Sequence, residues 1–453
     1  MNPITSGMVM TNPTPRNLTL DQALAQAEAR FVARNPRSME RHKDARQWMP
    51  GGNTRSVLHF DPAPLTMAMA DGCMLEDLDG HRYVDFLGEY SAGLYGHTNQ
   101  AIREAVVTAM ECGTVLGAPN RYEAGLAQEL VQRFPGIDLI RFCNSGSEAN
   151  LMTFAVARAV TGREKFLAFR GGYHGGFLLM DGEHGKLNAP YDVELLDYND
   201  TEGAVAAIRR VGKDLAAVSL EPMMGSGGCI PADQDFLEAI RKETEAVGAL
   251  LIFDEVITSR LSEGGLQKVT GVIPDLTALG KYLGGGLTFG AFGGRRDIME
   301  HFDPSRPGGY LHAGTFNNNV LTMAAGLTGL TQVYTCKVAK TLNAAGDDLR
   351  RRINVCFKRV GMKAQATGRG SLMCVHFTDA PIKRPQDVKK LDPQIKRLFY
   401  MEMLERGQYM ATRCMMTLSL PMGHPEYDGL VRAIEDFCVD NGPLLRELGY
   451  IGD

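Results

Sequence analysis

Two stretches decide the fold: Gly248-Ala249-Leu250-Leu251-Ile252-Phe253-Asp254-Glu255-Val256 and, after a short interval, Leu276-Thr277-Ala278-Leu279-Gly280-Lys281. Each is a short apolar run that ends abruptly on an ionisable residue. Runs of this length, apolar on both faces, suit strands buried in a mainly parallel sheet between two layers of helices. Working outward, further strands are expected at 140–143, 165–170, 216–220 and 288–293, with helices over 148–160 and 233–246. The alternation predicts an α/β domain whose ligands sit beyond the carboxyl ends of the strands. The residues that follow each strand are therefore the candidates for chemistry.

Five such places stand out. Asn144-Ser145-Gly146-Ser147-Glu148-Ala149-Asn150 opens a helix; Ser145, Gly146 and Ser147 suit either a phosphate cradle or simple N-capping. Gly171-Gly172-Tyr173-His174-Gly175 allows close backbone approach, with Tyr173 free to stack on a ring or to pack as an ordinary aromatic. Glu221, after the strand at 216–220, either meets a ligand or caps a loop. Asp254 is a carboxylate delivered to the ligand crevice, where an ionised group needs a partner such as a protonated pyridine nitrogen. Lys281 leaves a buried strand just before Gly284-Gly285-Gly286; Lys165, Lys213 and Lys268 lie at the wrong end of a strand or in polar connections. An anion cradle, an aromatic, an acid and an amine, met in this order along the chain, are together what pyridoxal 5'-phosphate requires.

With those residues in view, NSGSEAN, GGYHGG, LEPMMGSGGCIP, LLIFDEV, LGKYLGGG and HAGTFNNN resemble the class III, fold type I aminotransferases, over about 46–421. The resemblance implies a large domain with a mostly parallel seven-stranded sheet between helices, plus a smaller α+β domain. It implies Lys281 as the Schiff-base lysine, Asp254 as the pyridine-nitrogen partner, Tyr173 and Val256 on the two faces of the ring, and Ser145, Gly146 and Ser147 on the phosphate. Thr315 would reach that phosphate across a homodimer interface. Within the class, PGGNTR resembles the opening of the glutamate-1-semialdehyde 2,1-aminomutases. GEYSAGLYGH, DEVITSRL, GTFNNNVLTMAAG and Arg413 before LSLPM look closer to the β-amino-acid (β-phenylalanine) aminotransferases. Asn318-Asn319-Val320 and ATRCMMTLSLPM depart from the aminomutase pattern. By resemblance, Arg55 takes a β-carboxylate and Arg413 the α-carboxylate of an oxo-acid acceptor, 2-oxoglutarate or pyruvate; Arg413 also reads as a structural ion-pair partner. An aminomutase would use the same cofactor residues without an external acceptor. A nicotinamide enzyme is disfavoured because no G-x-G-x-x-G follows a first strand, while a catalytically silent cofactor-binding protein stays open.

The rest of the chain frames this reading. Its 453 residues, 44% hydrophobic and 22% charged, exceed one typical core. We expect a flexible tail over 1–20, a segment over 21–75 joining the small domain, the large domain over 76–332 and the small domain over 333–453. A net charge of -5 with scattered Lys and Arg argues against nucleic acid, and no apolar stretch approaches a membrane span. The first residues do not read as a secretory signal. Nine dispersed cysteines suit free thiols in a cytoplasmic protein better than disulfides or a metal site. One helix is expected from Leu20 to about Arg46, a hairpin around Asp79-Gly80, a long helix over 338–360, and strands at 372–377 and 415–420. His97, His174 and His312 receive no catalytic role, and Tyr90, Leu94 and Tyr95 read equally as pocket or core.

Overall fold

A computed structural model describes residues 18–182 and 185–452. Most of the expected N-terminal tail, residues 1–17, lies outside them. The centre is a seven-stranded sheet in the spatial order Leu139–Cys143, Gly290–Gly294, Leu276–Gly280, Leu250–Asp254, Leu215–Leu220, Lys165–Phe169, Asp192–Leu196. Six strands run parallel; Gly290–Gly294 is antiparallel to both neighbours. The reason is chain length: residues 281–289 are too few for the crossover that a parallel return needs.

The apolar runs are apolar on both faces because both faces are covered. Leu250 and Ile252 join Phe154, Phe166 and Leu276 in one core, while Leu251 and Phe253 join Phe236, Ile240 and Val218 in another. Helix Gly146–Thr161 covers the first face and helix Gln234–Val247 the second. The Asp192–Leu196 strand was not among the individual strands expected. It is a half-exposed edge, and its sequence lacks the continuous apolar run that marked the others.

The sheet after the long helix Cys336–Arg359 has three strands, Gln365–Arg369, Leu372–His376 and Met415–Thr417. A four-stranded sheet joins the hairpin Met74–Asp77 and Arg82–Asp85 to Met67–Asp71 and to Gln408–Tyr409. The hairpin turns as expected at Gly80, with φ at +88°. The single helix expected from Leu20 is instead two, Leu20–Arg34 and Pro36–Ala45. Pro36 has no N–H to continue the ladder and pushes Asn35 out of helical geometry, to ψ +47°. The first of these helices packs on Pro393–Glu405, where Arg30 pairs with Glu402 at 2.7 Å and Glu405 at 3.0 Å. All nine cysteines are free thiols, and no described helix is long and apolar enough to cross a membrane.

Candidate active site

The carboxyl ends of the central strands open into a cavity of about 230 Å³. Its wall includes Lys281, Asp254, Gly146, Ser147, Tyr173, Glu221, Val256, Arg55 and Arg413. Glu221, Asp254 and Lys281 meet because neighbouring strands of the central sheet end there, while Arg55 and Arg413 reach the cavity from outside that sheet. Lys281 sits at φ +58°, a left-handed conformation that is uncommon for a side chain of its size. Burial pushes its amine down to about 8, and the Arg55 charge adds to the effect, while Asp254 opposes it. A lysine desolvated in this way is a more available nucleophile at neutral pH.

Asp254 is almost fully buried and held from three sides. Its Oδ1 accepts from the Val256 N–H at 2.9 Å. Its Oδ2 accepts from Asn150 Nδ2 at 2.8 Å and lies 2.8 Å from His174 Nδ1. Burial alone would lower the His174 imidazole, but the hydrogen bond and charge of Asp254 outweigh it and raise it. Glu221, also buried, accepts from the N–H groups of Tyr173 at 3.4 Å and Gly225 at 2.9 Å. Burial and the Asp254 charge push its carboxyl up to about 7.

The helix Gly146–Thr161 aims its N-terminus at this cavity. First-turn N–H groups lack intrahelical acceptors and so favour an anion. The Ser145 hydroxyl is already engaged: it accepts from the Glu148 N–H at 3.1 Å, and Ser145 is exposed rather than part of the cavity wall. Close approach is built into the glycines. A Cβ on Gly146 would lie 2.8 Å from the Val256 methyls, and one on Gly175 would lie 2.6 Å from Ser147 Cα. Tyr173 stands at the rim, 43% exposed.

Two arginines lie near Tyr90 in the same cavity. Arg55 forms an ion pair with Glu89 and lies 5.5 Å from the Tyr90 ring centre; Arg413 lies 5.0 Å from it. Among the described residues Arg413 has no carboxylate partner, and its buried Nε has no hydrogen-bond acceptor. The ion-pair reading of Arg413 therefore has no partner to rest on. Thr315 is placed elsewhere, exposed in a separate cavity of about 770 Å³ lined by Asn120, Arg141 and His312.

Sequence reasoning missed His174 and Asn150, both on Asp254. His174 was set aside for want of metal-ligand spacing, yet its partner is a carboxylate. The signal available was Asn150 one helical turn past Gly146, on the face its carbonyl shares, where Asn150 Nδ2 also donates at 3.0 Å. Tyr90 belongs to the cavity wall, whereas Leu94 and Tyr95 are core.

A desolvated lysine amine, a buried carboxylate and a helix N-terminus in one cavity fit pyridoxal phosphate, and the unpartnered Asn150 Oδ1 and Arg413 Nε leave polar atoms for a charged ligand. The fold and site define a pyridoxal-phosphate enzyme of the aminotransferase kind. The aminotransferase class-III family model matches residues 59–409, and the chain belongs to that family as a pyridoxal-phosphate-dependent transaminase. It is 46% identical to the β-phenylalanine transaminase of Variovorax paradoxus over 94% of this chain and 98% of that one. The solved structure of the β-phenylalanine aminotransferase from that organism superposes with a TM-score of 0.93, covering 94% of this chain and 99% of the other. A glutamate-1-semialdehyde 2,1-aminomutase of Desulforudis audaxviator is 37% identical over 86% of this chain and 94% of its own.

Proposed function

We propose that the enzyme moves the amino group of a β-amino acid, aromatic or aliphatic, to 2-oxoglutarate or pyruvate, in two half-reactions at one site. The observation that carries this reading is the pair of guanidiniums, Arg55 and Arg413, on the same cavity as Lys281. A β-amino acid holds its carboxylate one carbon further from the reacting carbon than an α-oxo acid does. Two separate arginines accommodate both spacings, each through a two-point contact. Likeness to a β-phenylalanine transaminase over nearly the whole chain supports the donor class.

The bound cofactor supplies an aldehyde and an electron-withdrawing ring. Lys281 would hold it through its amine, and the same amine, when free, would serve as the base that moves the substrate's proton. Asp254 keeps the pyridine nitrogen protonated. Gly146 and Ser147 would hold the phosphate through the helix N-terminus, with Ser145 shaping that turn; Tyr173 and Val256 would pack against the ring and Glu221 would help to bind it. Arg55 takes the donor's β-carboxylate and Arg413 the acceptor's α-carboxylate. Thr315 completes the phosphate site of a partner copy in a homodimer.

The test is a set of half-reactions followed by absorbance on the yellow holoenzyme. A β-amino acid added without acceptor is expected to bleach the cofactor band, and 2-oxoglutarate or pyruvate to restore it. Bleaching by glutamate-1-semialdehyde alone, with 5-aminolevulinate formed without acceptor, would identify an aminomutase instead.

A further inference from the structure

Tyr90 lies within reach of both arginines, on a stretch of backbone that costs the fold something to form. Residues 88–91 all have positive φ: Gly88 +50°, Glu89 +47°, Tyr90 +53°, Ser91 +81°. Three consecutive residues with side chains in this region are strained, and such strain persists only where the surroundings hold it in place. Here they do. Asp85 accepts from the N–H groups of Leu87 at 3.0 Å and Gly88 at 2.9 Å. The fully buried Arg260 donates to the Ser91 carbonyl at 3.0 Å. The Tyr90 hydroxyl donates to the Val57 carbonyl at 2.8 Å, which ties the turn to the segment that carries Arg55.

The ring presented by this turn is within 5.5 Å of Arg55 and 5.0 Å of Arg413, both inside the range of cation–π attraction. The guanidiniums differ in their other contacts. Arg55 is paired with Glu89, whereas Arg413 has an idle buried Nε and a neighbouring thioether, Met415 Sδ at 3.2 Å. Without the ring, Arg413 has no charged or aromatic partner among the described residues to fix its long side chain. We propose that Tyr90 is the positioning residue for carboxylate recognition: its ring holds both guanidiniums at set places on the cavity wall, so that each carboxylate spacing finds a receptor already in position. This rests on the reading of Arg55 and Arg413 as carboxylate receptors. It adds that their effectiveness depends on an aromatic face rather than on the charges alone.

The experiment compares holoenzyme variants Tyr90→Phe and Tyr90→Leu with the parent. Each is titrated with 3-phenylpropanoate and with its uncharged carboxamide as competitive inhibitors, alongside kcat and KM for the pyruvate half-reaction. Tyr90→Leu is expected to weaken the carboxylate inhibitor about tenfold, to leave the carboxamide unchanged, and to raise the pyruvate KM with little change in kcat. Tyr90→Phe keeps the ring but loses the hydroxyl bond to Val57, so it is expected to weaken the carboxylate inhibitor less than Tyr90→Leu does, again without affecting the carboxamide. Fluorinated phenylalanines at position 90 preserve shape while weakening the ring's negative face, so carboxylate affinity should fall stepwise with fluorine number even where the leucine variant fails to load cofactor. Equal losses for carboxylate and carboxamide, or a flat fluorine series, would overturn the proposal. The pyruvate arm needs no β-amino acid. A wild-type enzyme that ignores β-amino acids but still shows the Tyr90 effect on pyruvate would therefore reject the donor assignment and keep this one.

Discussion

Lys281 is a base in a cavity that also holds Arg55 and Arg413, and burial and those two charges all disfavour its protonated form. Its folded-state value near 8 is below the ordinary 10.5, so between those two pH values the unfolded chain binds the proton that the native chain has released. Stability of the cofactor-free protein then rises with pH across this window, and the burdened, protonated state prevails below it. Lys281→Met removes the burden. The variant is expected to be more stable than the parent at pH 7 by about 2 kcal/mol, less than the full shift implies because the residue is partly open to water. The margin should close as pH climbs from 8 to 10.5. Urea titrations of both proteins at a series of pH values measure it; a margin independent of pH would show that packing, not charge, separates them. The same scale explains what could be read beforehand. Lys281 and Asp254 were legible because each ends an apolar run, which is a strong local anomaly. His174 was not, because its role depends on a carboxylate 80 positions away, a pairing that no local pattern records.

At the scale of elements, the site is a meeting of two backbones with nothing between them. The N-terminus of helix Gly146–Thr161 and the turn 171–176 approach so closely that Gly175, at φ +103°, has no room for a side chain against Ser147. Gly175→Ala is strained twice, by the backbone conformation and by the contact, and the only relief is to move the helix start away from the turn. Since that helix start is the proposed phosphate cradle, cofactor affinity should suffer more than the fold. The expected outcome is a cofactor dissociation constant raised at least about tenfold, equivalent to roughly 1.4 kcal/mol, with the far-ultraviolet spectrum unchanged. Unaltered affinity would mean that the turn and helix do not act together on the phosphate. Elements were readable where period and length agreed, as in the buried strands and the helix now seen at Cys336–Arg359. They were misread where one residue overrode the pattern. Pro36 divided a run whose apolar spacing looks continuous, and the edge strand Asp192–Leu196 offered no buried face to reveal it.

At the scale of the whole molecule, one expected site residue lies apart from the others. Thr315 lies in its own cavity, apart from the one lined by Lys281, although the family resemblance implies that it serves the cofactor. In the proposed twofold dimer each site would draw Lys281 from one copy and Thr315 from the other. This arrangement has a consequence that no single-chain site shares. Lys281→Ala alone is inactive in both sites of its dimer. Thr315→Asp alone places a carboxylate against the phosphate in both sites and repels it. In a mixed dimer, one site collects both defects and the other collects neither. Co-refolding the two inactive variants in equal amounts should therefore restore activity to about a quarter of the parent's, since half of randomly formed dimers are mixed and each has one sound site. If Thr315 served the cofactor of its own chain, every mixed dimer would carry one defect per site and the mixture would stay as inactive as its components.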